Sequence, residues 1–196
     1  MKLEINFLII ALIVLTVFTN SCRKPHYDCC TWTKKITNMH SGICKMQTTT
    51  SYEDVYGACV GLDSLDSCKY NLLKIGLSFE SIYLSQDYCS SPKDSLVGKI
   101  DNITIISKYH YNNIYQVNDT INDIINLIDI NIGQMPISTP VSLNYYLGTK
   151  PICTHIIRFF LSQPPDTTAI QSFEIRYTEN DGTTFSATTK PIYITP

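Results

Sequence analysis

Charge is what this sequence has least of. Aspartate, glutamate, lysine and arginine make up 16% of it, against about a quarter in ordinary globular chains. What charge exists nearly cancels, 15 basic against 17 acidic residues. No basic run is longer than the pairs Arg23-Lys24 and Lys34-Lys35, so the electrostatic footprint of a nucleic-acid binder is missing. The longest apolar stretch runs only from Phe7 to Phe18, short of the ~20 residues that a transmembrane helix needs. Internal repeats and low-complexity segments are absent as well, and no spacing of His, Asp, Glu, Ser or Cys matches a catalytic template. These absences leave no cofactor to expect and favour a non-enzymatic role.

Threonine, serine, asparagine and tyrosine take the place of the missing charge, with 13 tyrosines alone. Thr and Tyr pack well on a half-exposed pleated surface, whereas solvated helices use Glu and Lys. The composition therefore points to strands.

Phe7 to Phe18 has the length of a signal-peptide apolar region, and it is followed by Thr19-Asn20-Ser21-Cys22. This tetrapeptide resembles the lipobox of bacterial lipoproteins, in which a small residue precedes a cysteine. The resemblance implies that residues 1–21 are a secretory signal cleaved after Ser21. It also implies that the Cys22 sulfur carries a diacylglycerol, with palmitate-type acyl chains. Each chain adds about 0.8 kcal/mol per buried methylene, so two or three hold a protein on a membrane. The alternative is an ordinary signal peptide cut elsewhere, with Cys22 as one more disulfide partner; the position of Cys22 directly behind the apolar region favours the lipid. Arg23-Lys24-Pro25-His26 comes next, with neither the Asp of inner-membrane retention nor the acidic cluster of surface export. By resemblance to those sorting rules the protein sits in the outer membrane and faces the periplasm. Residues 22–28 are then anchor and linker, and 29–196 a single domain.

Export also sets the redox state. Cys29, Cys30, Cys44, Cys59, Cys68, Cys89 and Cys153 remain after Cys22 is set aside, and in an oxidising compartment all seven are disulfide candidates with one left over. Six of them fall in the amino-terminal half, which is the stapled part. A rival reading makes His26, Cys29, Cys30 and Cys44 a zinc or copper site, although their spacing fits no zinc template.

Alternation and turn residues predict short strands at Trp32–Thr37, Cys44–Thr50, Leu73–Phe79, Ile103–Tyr111 and Cys153–Leu161. A hairpin of Gln171–Thr178 and Thr183–Thr188 is expected around Glu179-Asn-Asp-Gly182, with a last strand at Ile192–Thr195. Tyr52–Lys69 and Asp87–Asp94 read as loops. Ile121, Ile124, Ile125 and Ile128 fall at helical spacing behind Asp119 as cap, which predicts one short helix, although β-branched isoleucines suit a strand too. The expected class is all-β: an immunoglobulin-like or related Greek-key sandwich with one short helix.

Three carboxy-terminal segments, Thr154-His-Ile-Ile-Arg-Phe-Phe-Leu-Ser-Gln163, Phe173-Glu-Ile-Arg-Tyr177 and Asp181-Gly-Thr-Thr-Phe-Ser-Ala-Thr-Thr189, together with Ser21-Cys22, resemble an uncharacterised group of small Bacteroidetes-type lipoproteins. The resemblance implies no activity.

Tyr109 and Tyr111, on one face if their strand continues, and Tyr115 nearby offer an aromatic patch for a glycan or peptide. Cys153-Thr-His155 invites a thiol nucleophile, which disulfide formation would consume. Asp63 and Asp66 do not match a calcium loop, and His26, His40 and His110 stand singly. The sequons Asn102-Ile-Thr104 and Asn118-Asp-Thr120 have no expected use in a bacterium. The chain is thus expected to be an envelope module that binds a glycan, a peptide or another envelope protein. A hydrolase or metal-dependent enzyme with a spatially assembled site is the alternative.

Overall fold

In the computed structural model the described residues are 31–46, 59–85, 93–96, 98–127, 130–132, 135–137, 140–153 and 156–196. Contacts divide the chain into one unit of Met1–Thr31 with Asp87–Lys93 and another of Trp32–Gln86 with Asp94–Pro196. Only Thr31 and Lys93 of the first unit are described, and the sheets are built on the second. The strands are β1 (Thr31–Met46), β2 (Cys59–Gly61), β3 (Ser67–Lys69), β4 (Leu73–Ser85), β5 (Lys93–Leu96), β6 (Ile100–Ser107), β7 (Ile125–Leu127), β8 (Ile130–Ile132), β9 (Met135–Ile137) and β10 (Val141–Ser142). Helix α1 (Leu143–Gly148) comes next, then β11 (Ile156–Leu161), β12 (Ala169–Gln171), β13 (Phe173–Glu179), β14 (Thr184–Thr188) and β15 (Ile192–Thr195).

The fold is mostly β with one short helix among the described residues, as composition indicated. The largest sheet runs β10-β7-β11-β4-β1-β2, with β5 also on β1; two three-stranded sheets run β14-β13-β6 and β12-β15-β3, and β8 pairs β9. Among the described pairings, all are antiparallel except β15 with β3.

β4 follows its alternation over most of this stretch: Leu73, Ile75, Leu77 and Phe79 are buried and Ser78 and Glu80 face out, whereas Lys74, expected on the outer face, is buried as well. Its partner β1 is one long strand where two were expected. Asn38, His40, Ser41 and Gly42 look like turn residues, yet they pair with Glu80, Ser78, Leu77 and Gly76. The register slips between Ile36 and Asn38. That bulge inserts Thr37 and brings Met39 onto the inner face with Ile36, a correction that strict alternation would not provide.

Residues of the large sheet and of the β14-β13-β6 sheet join one hydrophobic cluster, among them Ile75, Leu77, Phe79, Ile103, Ile105, Phe173, Ile175 and Tyr177. Phe79 of β4 meets Tyr177 of β13 with ring centroids 4.7 Å apart. Burying each such side chain stabilises the fold by roughly 1.5–3 kcal/mol.

Of the helix expected at 121–128, the described residues, 121–127, form no α-helix. Asn122–Ile124 form a single 3-10 turn and Ile125–Leu127 become β7, hydrogen-bonded to β11 on one side and β10 on the other. Two strand partners outweigh local periodicity here, and the branched isoleucines suit the extended form. Asp119 does not cap it; its Oδ2 accepts from the Gln116 amide at 2.7 Å. Asn122 anchors the turn instead, accepting from the Ile105 amide at 2.9 Å and donating to the Ile103 carbonyl at 2.8 Å.

The α-helix lies at Leu143–Gly148, where the Ser142 hydroxyl accepts from the Tyr145 amide at 3.2 Å as N-cap. Leu143 and Tyr146, three apart, are buried. The carboxy-terminal hairpin forms where expected, but Glu179 extends β13 and its amide donates to the Thr183 carbonyl, so Thr178 stands opposite Thr184, with Gly182 at φ +86° in the turn.

Candidate functional site

The inward side of β13 carries one residue foreign to it by type. Phe173, Ile175, Tyr177 and Glu179 are buried in alternation with Glu174, Arg176 and Thr178. The strand's parity thus turns the Glu179 carboxyl toward the core, leaving the residue 2% exposed. The alternation was readable in the sequence, and a carboxylate in step with Phe173, Ile175 and Tyr177 was its signal.

The buried end of β13 is joined by a chain of hydrogen bonds. The Tyr177 hydroxyl donates to Cys153 Sγ at 2.9 Å, and the Cys153 thiol donates to Glu179 Oε1 at 3.5 Å. Burial pushes the Cys153 thiol up to about 11; the Tyr177 hydrogen bond works against that rise, and Glu179 adds to it. Burial likewise raises Glu179 above the ordinary carboxylate range, opposed by its bond to Cys153. Burial raises Tyr177 strongly too, and lifts neighbouring Tyr146 to about 12. All four groups hold their protons more tightly than they do in water.

Gly98 closes the other side. Its φ of +119° suits glycine, and an added Cβ would sit 3.4 Å from Cys153 Sγ and 3.6 Å from Glu179 Oε2. The Gly98 carbonyl accepts from the Cys153 amide at 3.3 Å, and the Lys99 carbonyl accepts from the Asn180 amide at 3.0 Å. Asn180 Oδ1 in return accepts from the Lys99 amide at 3.1 Å. These bonds fix the 98–99 segment between the hairpin and residue 153.

Over Glu179 opens a cleft of about 630 Å³, walled by Leu84, Leu96 and Ile152 and edged by Lys35, Lys99, Asn180 and Asp181. Leu84 and Ile152 are 55% and 63% exposed, so the wall offers apolar area to a ligand. Lys35 and Asp181 pair at 3.4 Å, each about half exposed, a geometry that contributes little to stability. The cleft therefore combines apolar walls, a polar rim and a buried carboxyl whose proton affinity is raised by burial, which suits a hydrogen-bonding or amphipathic ligand.

The structure places the sequence-predicted residues unevenly. Ser21, Cys22, Cys29, Cys30 and Cys89 lie outside the described residues, as do His26 and His155. Cys59 opens β2, and Cys44 is disulfide-bonded. Cys68 and Cys153, both expected as disulfide candidates, are free thiols buried apart from each other. Cys153 is engaged by Tyr177 and Glu179, and Cys68 donates to the Lys69 carbonyl at 3.3 Å. With both free, a single leftover thiol is not the arrangement adopted. The raised Cys153 also keeps its proton at neutral pH, which argues against the nucleophile reading of Cys153-Thr-His155.

The tyrosines do not form a shared face. β6 ends at Ser107, so alternation stops before Tyr109; Tyr109 is exposed, Tyr111 is buried, and Tyr115 is half-buried. The Tyr111 hydroxyl donates to the Gln163 carbonyl at 2.7 Å. His40 pairs with Glu80 at 2.9 Å on the surface, and Asp63 pairs with Lys190 at 3.1 Å. Among the described residues no group of three or more His, Cys, Asp or Glu side chains is placed to hold a metal ion. No helix among them is long and apolar enough to cross a membrane.

No protein-family model and no curated protein matches the chain. A solved structure described as a family 123 glycoside hydrolase from Clostridium perfringens, studied for glycolipid glycan hydrolysis, aligns at 12% identity with a TM-score of 0.30. The alignment covers 81% of this chain and 27% of that one. The chain therefore spans about a quarter of that enzyme's length, and a likeness this slight assigns neither fold nor activity.

Proposed function

We propose that this chain is an outer-membrane lipoprotein, held by lipid on Cys22 and facing the periplasm, whose domain is a non-enzymatic binding module. Its fold is read as a sandwich of immunoglobulin-like or related Greek-key type, the β14-β13-β6 sheet lying against the large one through Phe79 and Tyr177. The ligand is a glycan, a peptide or a segment of an envelope protein. The observation that supports this reading is the exposure of Leu84 and Ile152 in a cleft whose one buried carboxyl is already hydrogen-bonded.

Saturation-transfer NMR on the purified chain tests it, with muropeptides as the glycan probe and a mixture of extended tryptic peptides as the other. One probe should receive saturation, and Leu84→Asp with Ile152→Asp should abolish the transfer. Transfer to neither probe, or transfer that survives both substitutions, contradicts the reading. The hydrolase alternative rests on Glu179, since burial raises the proton affinity of this carboxyl beside a cleft, the direction a general acid requires. Turnover of the bound probe, lost in Glu179→Gln, would decide for it.

A further inference from the structure

The open edge of β14 is the structural feature that the binding cleft leaves unexplained. β2, β3, β10 and β12 end their sheets after two or three residues, and short edges recruit partners poorly. The outer side of β6 is covered by its own chain: the Ser107 amide reaches the Asp119 carbonyl at 3.0 Å, and the Ile121 amide reaches the Ile105 carbonyl at 2.9 Å. β14 differs from these edges. It runs for five residues at the end of its sheet, and among the described residues no strand pairs with its outer side.

The devices that usually blunt an edge are missing too. Thr183-Thr-Phe-Ser-Ala-Thr-Thr189 contains no charge and no proline. The hairpin register settles which groups face outward. The Glu179 amide donates to the Thr183 carbonyl, and the Thr189 amide to the Phe173 carbonyl. By the antiparallel alternation, Phe185 and Ala187 direct their main chain toward β13. Thr184, Ser186 and Thr188 therefore present N–H and C=O groups outward.

We infer that β14 pairs antiparallel with β14 of a second copy of this chain, about a two-fold axis at Ser186. The strand is complementary to itself in that register. Ser186 faces Ser186, Thr184 faces Thr188 of the other copy, and all three outward-facing residues exchange main-chain hydrogen bonds. On the inner face, half-buried Phe185 lies opposite the small Ala187 of the other copy, so the larger ring meets the smaller side chain. Thr–Thr and aromatic contacts of this kind stabilise cross-strand pairs, and a two-fold contact closes on itself rather than extending into a fibre. The β14-β13-β6 sheets of the two copies then become one continuous sheet. The polar stripe of Thr184, Ser186 and Thr188 stays on the solvent side, beside the Lys108–Glu174–Arg176 ion cluster.

Two measurements on the full chain in detergent test the pairing. By density-matched sedimentation the wild type should be a dimer. Ser186→Lys, which sets two like charges against each other at the axis, should weaken association at least ~tenfold. A short bis-maleimide should join Ser186→Cys to itself, since hydrogen-bonded partners lie about 5.5 Å apart. It should not join Thr184→Cys or Thr188→Cys to itself, because equivalent residues there are separated by roughly 14 Å, whereas mixing those two variants should restore the cross-link. A monomeric wild type overturns the inference. So does a dimer that Ser186→Lys leaves intact, or cross-linking equal at all three positions.

Discussion

The Tyr177 hydroxyl lies 2.9 Å from Cys153 Sγ and donates to it, tying the inner end of β13 to the segment that leads into β11. Tyr177 also packs on Phe79 and, with centroids 6.2 Å apart, on Phe185. One ring thereby fills the core, and its polar tip organises the floor of the cleft. Tyr177→Phe keeps the ring and deletes only the donor. It should cost about 1–3 kcal/mol in urea unfolding. A variant as stable as the wild type would show that the bond contributes nothing.

Glu179 sets a pH dependence of known sign. Its folded-state affinity for protons is raised above the ordinary value of 4.5, chiefly by burial. The unfolded chain therefore ionises first, and this group's contribution to stability is greatest below about pH 4.5 and is lost as pH climbs toward the folded-state value. Asp181, Glu80 and Glu174 are shifted the other way by their hydrogen bonds, so the wild-type curve alone is a mixture. The informative quantity is the difference between Glu179→Gln and wild type. It should be small near pH 4 and grow in favour of the glutamine variant toward neutrality. A difference that does not change with pH contradicts a raised proton affinity at Glu179.

The strands were legible where a single rule governed them. The burial of Leu73, Ile75, Leu77 and Phe79 and the final strand at Ile192 to Thr195 appear as expected, and the hairpin around Glu179-Asn-Asp-Gly182 forms with Glu179 drawn into β13. The sequence misled where a partner strand overrode local pattern. Asn38 to Gly42 look like a turn and are held extended by β4, and the isoleucines from Ile121 look helical, yet Asn122–Ile124 make only a 3-10 turn and Ile125–Leu127 are taken up between β10 and β11. α1 was overlooked because six residues with a single buried i, i+3 pair barely register as periodic. The cleft was hidden for a further reason. Its parts come from positions 35, 84, 98, 152 and 179, which only the sheet pairings bring together.

Thiol chemistry gives a separate check. Cys153 and Cys68 are free, buried and raised in proton affinity chiefly by burial, so neither should react with iodoacetamide in the native protein at about pH 8. Both should be alkylated once the chain is unfolded without reductant, as peptide mapping would reveal. If either is recovered only after reduction, it belongs to a disulfide and the free-thiol arrangement is wrong.

The proposed envelope role depends first on a lipid at Cys22, and the intact mass of the chain recovered from bacterial membranes tests that tether most directly. The expected species begins at Cys22 and carries the added mass of a diacylglycerol with its acyl chains, and Cys22→Ser abolishes that addition. An exported chain that begins elsewhere, or one that begins at Cys22 without acyl mass, contradicts the tether.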